Sequence, residues 1–93
     1  EDGSVIEYND VLTSFRTVRP YDGSEESWKR EFAHRLVAKM VDCGFDQIYL
    51  SEMSGVSHQS ISNYIHRKTI PTAYAVDKLA RALRCDVSEL TEF

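Results

Sequence analysis

The sequence predicts an all-α fold, a compact five-helix domain behind a short acidic N-terminal extension. Three observations carry the prediction. Apolar residues recur at helical spacing from Trp28 onward, Ser, Asp or Thr stands just ahead of each periodic run, and the connecting segments are only two to six residues long. With 93 residues and 42% hydrophobic content, the chain can fill one core but not two.

Residues 1–23 form the acidic extension, closing in the turn-forming run Arg19, Pro20, Tyr21, Asp22, Gly23. Within it Tyr8, Val11, Leu12, Phe15 and Val18 fit a helix capped by Asn9 or Asp10. The Val and Thr content equally suits a strand pair, Ser4 to Tyr8 and Val11 to Val18, turning at Asn9-Asp10. The helical pattern is slightly the better match.

Residues 24–93 hold the five-helix domain. Ser24 caps the first helix, with Glu25 and Glu26 in its first turn. Trp28, Phe32, Leu36 and Met40 make a core stripe that Ala33, Val37 and Val41 widen, and Gly44 ends the helix. Asp46 caps a short helix from Gln47 to Met53, and Ser57 caps the next, from His58 to Ile65. Thr72 opens a fourth, whose inward stripe is Val76, Leu79, Ala80 and Leu83. Asp86 and Glu89 have capping-box spacing and start a fifth, with Leu90 and Phe93 directed inward.

The helix from His58 to Ile65 carries the chemistry. Ile61, Tyr64 and Ile65 stand at i, i+3 and i+4 and face the core, so His58, Gln59, Ser62, Asn63 and His66 face outward. Amides, hydroxyls and imidazoles match the hydrogen-bonding edges of bases in the DNA major groove. Gln or Asn bonds adenine bidentately, Ser donates or accepts, and His donates to guanine. His58 and His66 read equally well as ordinary exposed histidines, and Gln47 as an exposed first-turn residue.

Charge distribution qualifies the acidic total. The net charge is −4, but residues 1–27 carry seven acids and two bases (−5), and residues 28–93 carry nine bases and eight acids (+1). No Asp or Glu occurs from Met53 through Val76, the window that contains His58, His66, Arg67 and Lys68. A polyanion would therefore meet a local basic rim.

Residues 32–90 resemble the Cro/CI-type (XRE-like) phage repressor helix-turn-helix family. The resemblance lies in Gln47, Leu50, the Gly55-Val56-Ser57 turn, Ile61 and the basic loop to Pro71. It continues through Leu79-Ala80-x-Ala82-Leu83 and Asp86-x-x-Glu89-Leu90. It implies a lambda-repressor-like fold and a sequence-specific transcriptional regulator, expected to repress a phage or mobile element as a homodimer on double-stranded DNA. By position, His58, Gln59, Ser62 and Asn63 would read bases. Gln47, Ser57, Arg67, Lys68, Thr69 and Tyr74 would hold phosphates, Gln47 also fixing His58.

Three departures from the family pattern carry expectations of their own. Many members pair a buried Arg and Glu where this chain has Met40 and Ile65, so an apolar Met40–Ile65 contact is expected instead. Arg67 and Arg84 stand where Gly is frequent, which requires either positive φ with some strain or altered loops. Ile48 and Tyr49 replace exposed charged residues, which calls for a cover, either the Tyr8-to-Val18 segment or a second subunit.

Two alternatives share the fold: an antitoxin-type autoregulator whose extension binds a toxin partner, and a protein-interaction module that has lost DNA binding. An enzyme is not expected, because no catalytic or metal-binding spacing occurs and neither cofactor nor metal is implied. Cys43 and Cys85, widely separated, are expected to be buried structural thiols. Together with the lack of a membrane span or signal sequence they point to a reducing cytoplasm, near the nucleoid. A first residue of Glu rather than Met is expected of a fragment, whose flanks would hold a dimerisation or effector domain.

Overall fold

The computed structural model describes residues 22–93, so the expectations for Tyr8 to Val18 and for the Arg19-Pro20-Tyr21 turn lie outside the described residues. The described chain is all-α. Its helices are α1 (Glu25–Cys43), α2 (Gln47–Ser54), α3 (His58–Ile65), α4 (Ala73–Ala82) and α5 (Val87–Thr91). The long α1 packs against α3 and α5, α2 packs against α3 and α4, and α4 closes on α5.

Each helix starts where the sequence supplies a side-chain acceptor for its unpaired N–H groups. Ser24 accepts from the Ser27 N–H, Asp46 from Tyr49, Ser57 from Ser60 and Thr72 from Ala75. Asp22 reinforces the first cap, accepting from the Ser27 hydroxyl at 2.7 Å and the Ser24 N–H at 2.9 Å. These bonds, Ser27 foremost, hold its carboxyl far below the usual carboxylate range. At α5 the Glu89 carboxylate reaches back to accept the Asp86 N–H at 3.1 Å. Its other oxygen accepts from Lys39 Nζ at 2.6 Å, tying α5 to α1.

Three helices end alike. After α1 the Gly44 N–H donates to Val41 and the Phe45 N–H to Met40. After α3 the Arg67 N–H donates to Tyr64 and the Lys68 N–H to Asn63. Beyond α4 the Arg84 N–H donates to Arg81 and the Cys85 N–H to Ala80. This double closure requires a left-handed residue at the turn, normally Gly. Gly44 supplies it at φ 73°, whereas Arg67 (62°) and Arg84 (58°) adopt it with a side chain attached. Of the two expected outcomes at these arginines, positive φ is the one observed.

The core joins Phe32, Leu36, Val37 and Met40 of α1 with Leu50, Ile61, Tyr64, Ile65, Val76, Leu79, Leu83 and Leu90. Met40 and Ile65, expected to meet, are both fully buried within this cluster. Tyr64 meets Phe32 edge to face at 6.1 Å. Four expectations are corrected at the surface. Val41 is 53% exposed because it stands on the outer side of the last turn of α1, whose inner side buries Met40. Cys43, the final α1 residue, is exposed, and Cys85 is only half-buried beside its loop. Phe93 is exposed and packs on the rim, edge-on to Trp28 at 5.6 Å and beneath the Arg35 guanidinium.

Candidate nucleic-acid interface

Two short helices and a tight turn build the site. Gly55 ends α2 at φ 79° and returns its N–H to the Ser51 carbonyl at 2.9 Å. A side chain here would be strained by φ alone. Val56 then dips into the core, its N–H bonded to Ser54 Oγ at 3.1 Å, and Ser57 starts α3. Within one turn the chain reverses and α3 is pinned across α1 and α2.

Ile61, Tyr64 and Ile65 are buried, so the opposite face of α3 is fixed by packing. His58 and Gln59 are exposed at its N-terminal end, and Ser62 and Asn63 lie half-buried one turn on. All four base-reading candidates therefore share one surface. The Gln59 amide donates to Asn63 Oδ1 at 3.2 Å, holding the two amides at a fixed spacing before any ligand arrives. That pairing directs the Gln59 carbonyl oxygen and the Asn63 amino group to other partners. His66 continues the stripe, with Nδ1 2.8 Å from the Ser62 carbonyl and 3.3 Å from its hydroxyl.

The phosphate-binding candidates are placed unevenly. Ser57 is exposed at the head of α3, where its hydroxyl bonds Ser60 at 2.9 Å and caps the helix. Lys68 and Thr69 are exposed just past α3, and Arg67 is half-buried at the turn that swings the loop outward. Tyr74 stands 69% exposed in the first turn of α4. Gln47 is different: only 5% exposed at the head of α2, it is no solvated first-turn residue.

Lys78, on α4, also reaches the helix-turn-helix corner although it lies outside the motif. Its ammonium lies 5.1 Å from the centre of the Tyr74 ring and beside Gly55 at the helix-turn-helix corner. The Tyr-x-x-x-Lys spacing on α4 was the available signal, because residues four apart share a helix face. Ile48 and Tyr49, 60% and 46% exposed, form the outer side of α2 with Met53.

No group of His, Cys, Asp and Glu among the described residues could hold a metal ion. The open notch along α1 is lined by Glu31, His34, Arg35, Lys39 and Glu89, with Lys39 tied to Glu89 at 2.6 Å. No described helix is long and apolar enough to cross a membrane. Residues 37–90 match the family described as helix-turn-helix. No curated protein and no solved structure matches the chain.

Proposed function

The chain belongs to the Cro/CI-type, XRE-like helix-turn-helix family, a DNA-binding regulatory family rather than an enzyme family, and we propose that it is a sequence-specific repressor of a phage or mobile element. The observation that carries this reading is the fixed polar face of α3, where Gln59 and Asn63 are already paired at 3.2 Å. In the proposed complex α3 enters the major groove, and His58, Gln59, Ser62 and Asn63 meet base edges. Ser57 and the N–H groups at the start of α3 take one phosphate, and Arg67, Lys68, Thr69 and Tyr74 hold the flanking backbone. Gln47, buried where α2 begins, braces the first reading residue and meets its phosphate through its amide edge.

A helix of eight residues covers few base pairs, so useful specificity requires two half-sites. The repressor accordingly acts as a homodimer on a two-fold operator with half-site centres ~34 Å apart. Selection of bound sequences from a random DNA pool tests this directly. The expected result is a two-fold symmetric consensus that Gln59→Ala with Asn63→Ala relaxes, at a cost of ~1 to 3 kcal/mol per lost base contact. Uniform binding to all sequences, unaffected by the double substitution, would sink the reading and favour a non-DNA interaction module.

A further inference from the structure

The outer side of α2 carries an apolar stripe that runs into a basic notch. Phe45, just ahead of α2, meets Tyr49 edge to face at 4.7 Å. Met53 stands four residues beyond Tyr49, so the two share one face of the helix, and both are exposed. Met53 also lines a notch between the end of α2 and α4, together with Ser54, Lys78, Arg81, Ala82 and Arg84. Two of these cations are partly engaged. The Lys78 ammonium lies over the Tyr74 ring, and Arg81 Nε donates to Asp77 at 3.0 Å, which uses one of the five guanidinium donors. Arg84 is exposed and holds φ 58°, a conformation that Gly adopts without strain. A cationic side chain is thus kept at the notch against the preference of its own backbone.

An apolar stripe that ends among cations suits an apolar segment bearing carboxylates, and the chain carries one in Glu7, Tyr8, Asp10, Val11 and Leu12. We propose that this segment docks on the α2–α4 surface of its own chain. Tyr8, Val11 and Leu12 cover Tyr49 and Met53, and the Glu7 and Asp10 carboxylates pair with the Arg81 and Arg84 guanidiniums, a planar match of donors to acceptors. The tether is long enough. Glu7 and Asp10 stand fifteen and twelve residues ahead of Asp22, about 50 and 40 Å of extended chain, and the longest extent of the domain is 33 Å. Tethering also raises the effective concentration of the segment at the notch into the millimolar range. A second copy is a poorer cover, because a two-fold contact sets a patch against itself and would bring these arginines toward their own counterparts. Among the described residues no acid lines the notch to offset that repulsion. Asp77 is committed to Arg81, and Glu52 adds a single charge beside Met53.

The chain has two methionines, Met40 fully buried in the core and Met53 exposed on the stripe. Isotopic labelling of the methionine methyls in the full chain therefore gives two NMR signals, one reporting docking and the other the fold. The Met53 methyl should show nuclear Overhauser contacts to the Val11 and Leu12 methyls, unchanged on dilution. Glu7→Lys with Asp10→Lys should abolish those contacts and move the Met53 signal, with Met40 in place. Adding Arg81→Glu and Arg84→Glu to that variant should restore them. Surface ion pairs add little to fold stability, so Met40 should hold its position throughout. If the arginine substitutions displace Met40, the substitutions at Glu7 and Asp10 still decide, since both lie outside residues 22–93. Contacts that are missing in the native chain, or that survive Glu7→Lys with Asp10→Lys, overturn the proposal. Contacts that fade on dilution make a second copy the cover and overturn docking within one chain. Failure of the fourfold variant to restore them, with Met40 in place, overturns the pairing with Arg81 and Arg84. DNA takes no part in these measurements, so their outcome is independent of sequence selection.

Discussion

At the scale of single residues, Arg67 and Arg84 stand in the same strained conformation for different returns. Both occupy the left-handed turn after a helix, at φ 62° and 58°, which costs an L-residue roughly 1 to 2 kcal/mol. Arg84 lies outside the proposed DNA face, so Arg84→Gly should stabilise the fold by about 0.5 to 1 kcal/mol with DNA affinity unchanged. Arg67→Gly should stabilise to a similar degree yet weaken DNA binding on all sequences. Urea unfolding alongside DNA titration checks both, and loss of stability in either variant would contradict the strain argument. Positive φ was one of two outcomes that the family resemblance left open at each Arg, the other being an altered loop. What could not be read was how each turn closes. The bonds from Lys68 to Asn63 and from Cys85 to Ala80 depend on three-dimensional closure rather than on residue type.

At the scale of elements, the helix starts were legible because each cap is a local contract, between one side chain and an N–H three residues on in α1 to α4 and between the Glu89 side chain and the Asp86 N–H three residues back in α5. Ser57 illustrates the coupling of stability to function, since it caps α3 and also stands at the proposed phosphate site. Ser57→Ala should cost about 1 kcal/mol of stability and weaken DNA binding. Ser57→Asp keeps a good cap, so stability should return while the added carboxylate repels the backbone and binding stays impaired. Recovery of binding in Ser57→Asp would remove Ser57 from the phosphate contacts. Between α1 and α5 the coupling is electrostatic. Lys39, and secondarily the Asp86 N–H, hold the Glu89 carboxyl below its ordinary range, and Glu89 raises Lys39 in return. Because the folded value of Glu89 is depressed, its contribution is fully present above the unfolded glutamate pKa, ~4.3, and is lost as pH falls through the folded value. Glu89→Gln should therefore flatten the acid limb of a stability–pH profile recorded below that point, and an unchanged limb would assign acid unfolding to other carboxyls. Capping-box spacing pointed to Glu89 as a helix starter. Its second role was hidden, because Lys39 lies fifty residues away in sequence. Distance in sequence likewise concealed the surface position of Cys43 and Val41, whose local pattern resembled core.

At the scale of the whole molecule, an acidic protein is proposed to bind a polyanion, and the two facts meet in the salt dependence. The net charge is −4, yet the stretch from Met53 through Val76 lacks any acid and presents Arg67 and Lys68. Binding affinity falls with salt according to the phosphates neutralised, with a logarithmic slope of about −0.9 for each. Two cations per subunit would give the proposed dimer about four neutralised phosphates and a slope near −4, shallow beside proteins that make many such contacts. Affinity must then come largely from base contacts and helix N-termini, which places more weight on sequence and less on charge. Such a regulator should leave random DNA readily, because non-specific binding is mostly electrostatic. Lys68→Ala removes one cation per subunit, so the dimer's slope should become shallower by about 2, with affinity lowered equally on operator and random sequence. Titrations of the native and substituted chains across a range of salt concentrations measure both slopes. A native slope far steeper than −4 would mean that cations beyond this rim reach the backbone. The nearest on α4 is Lys78, whose ammonium already lies against Tyr74, and the same titration on Lys78→Ala would identify it.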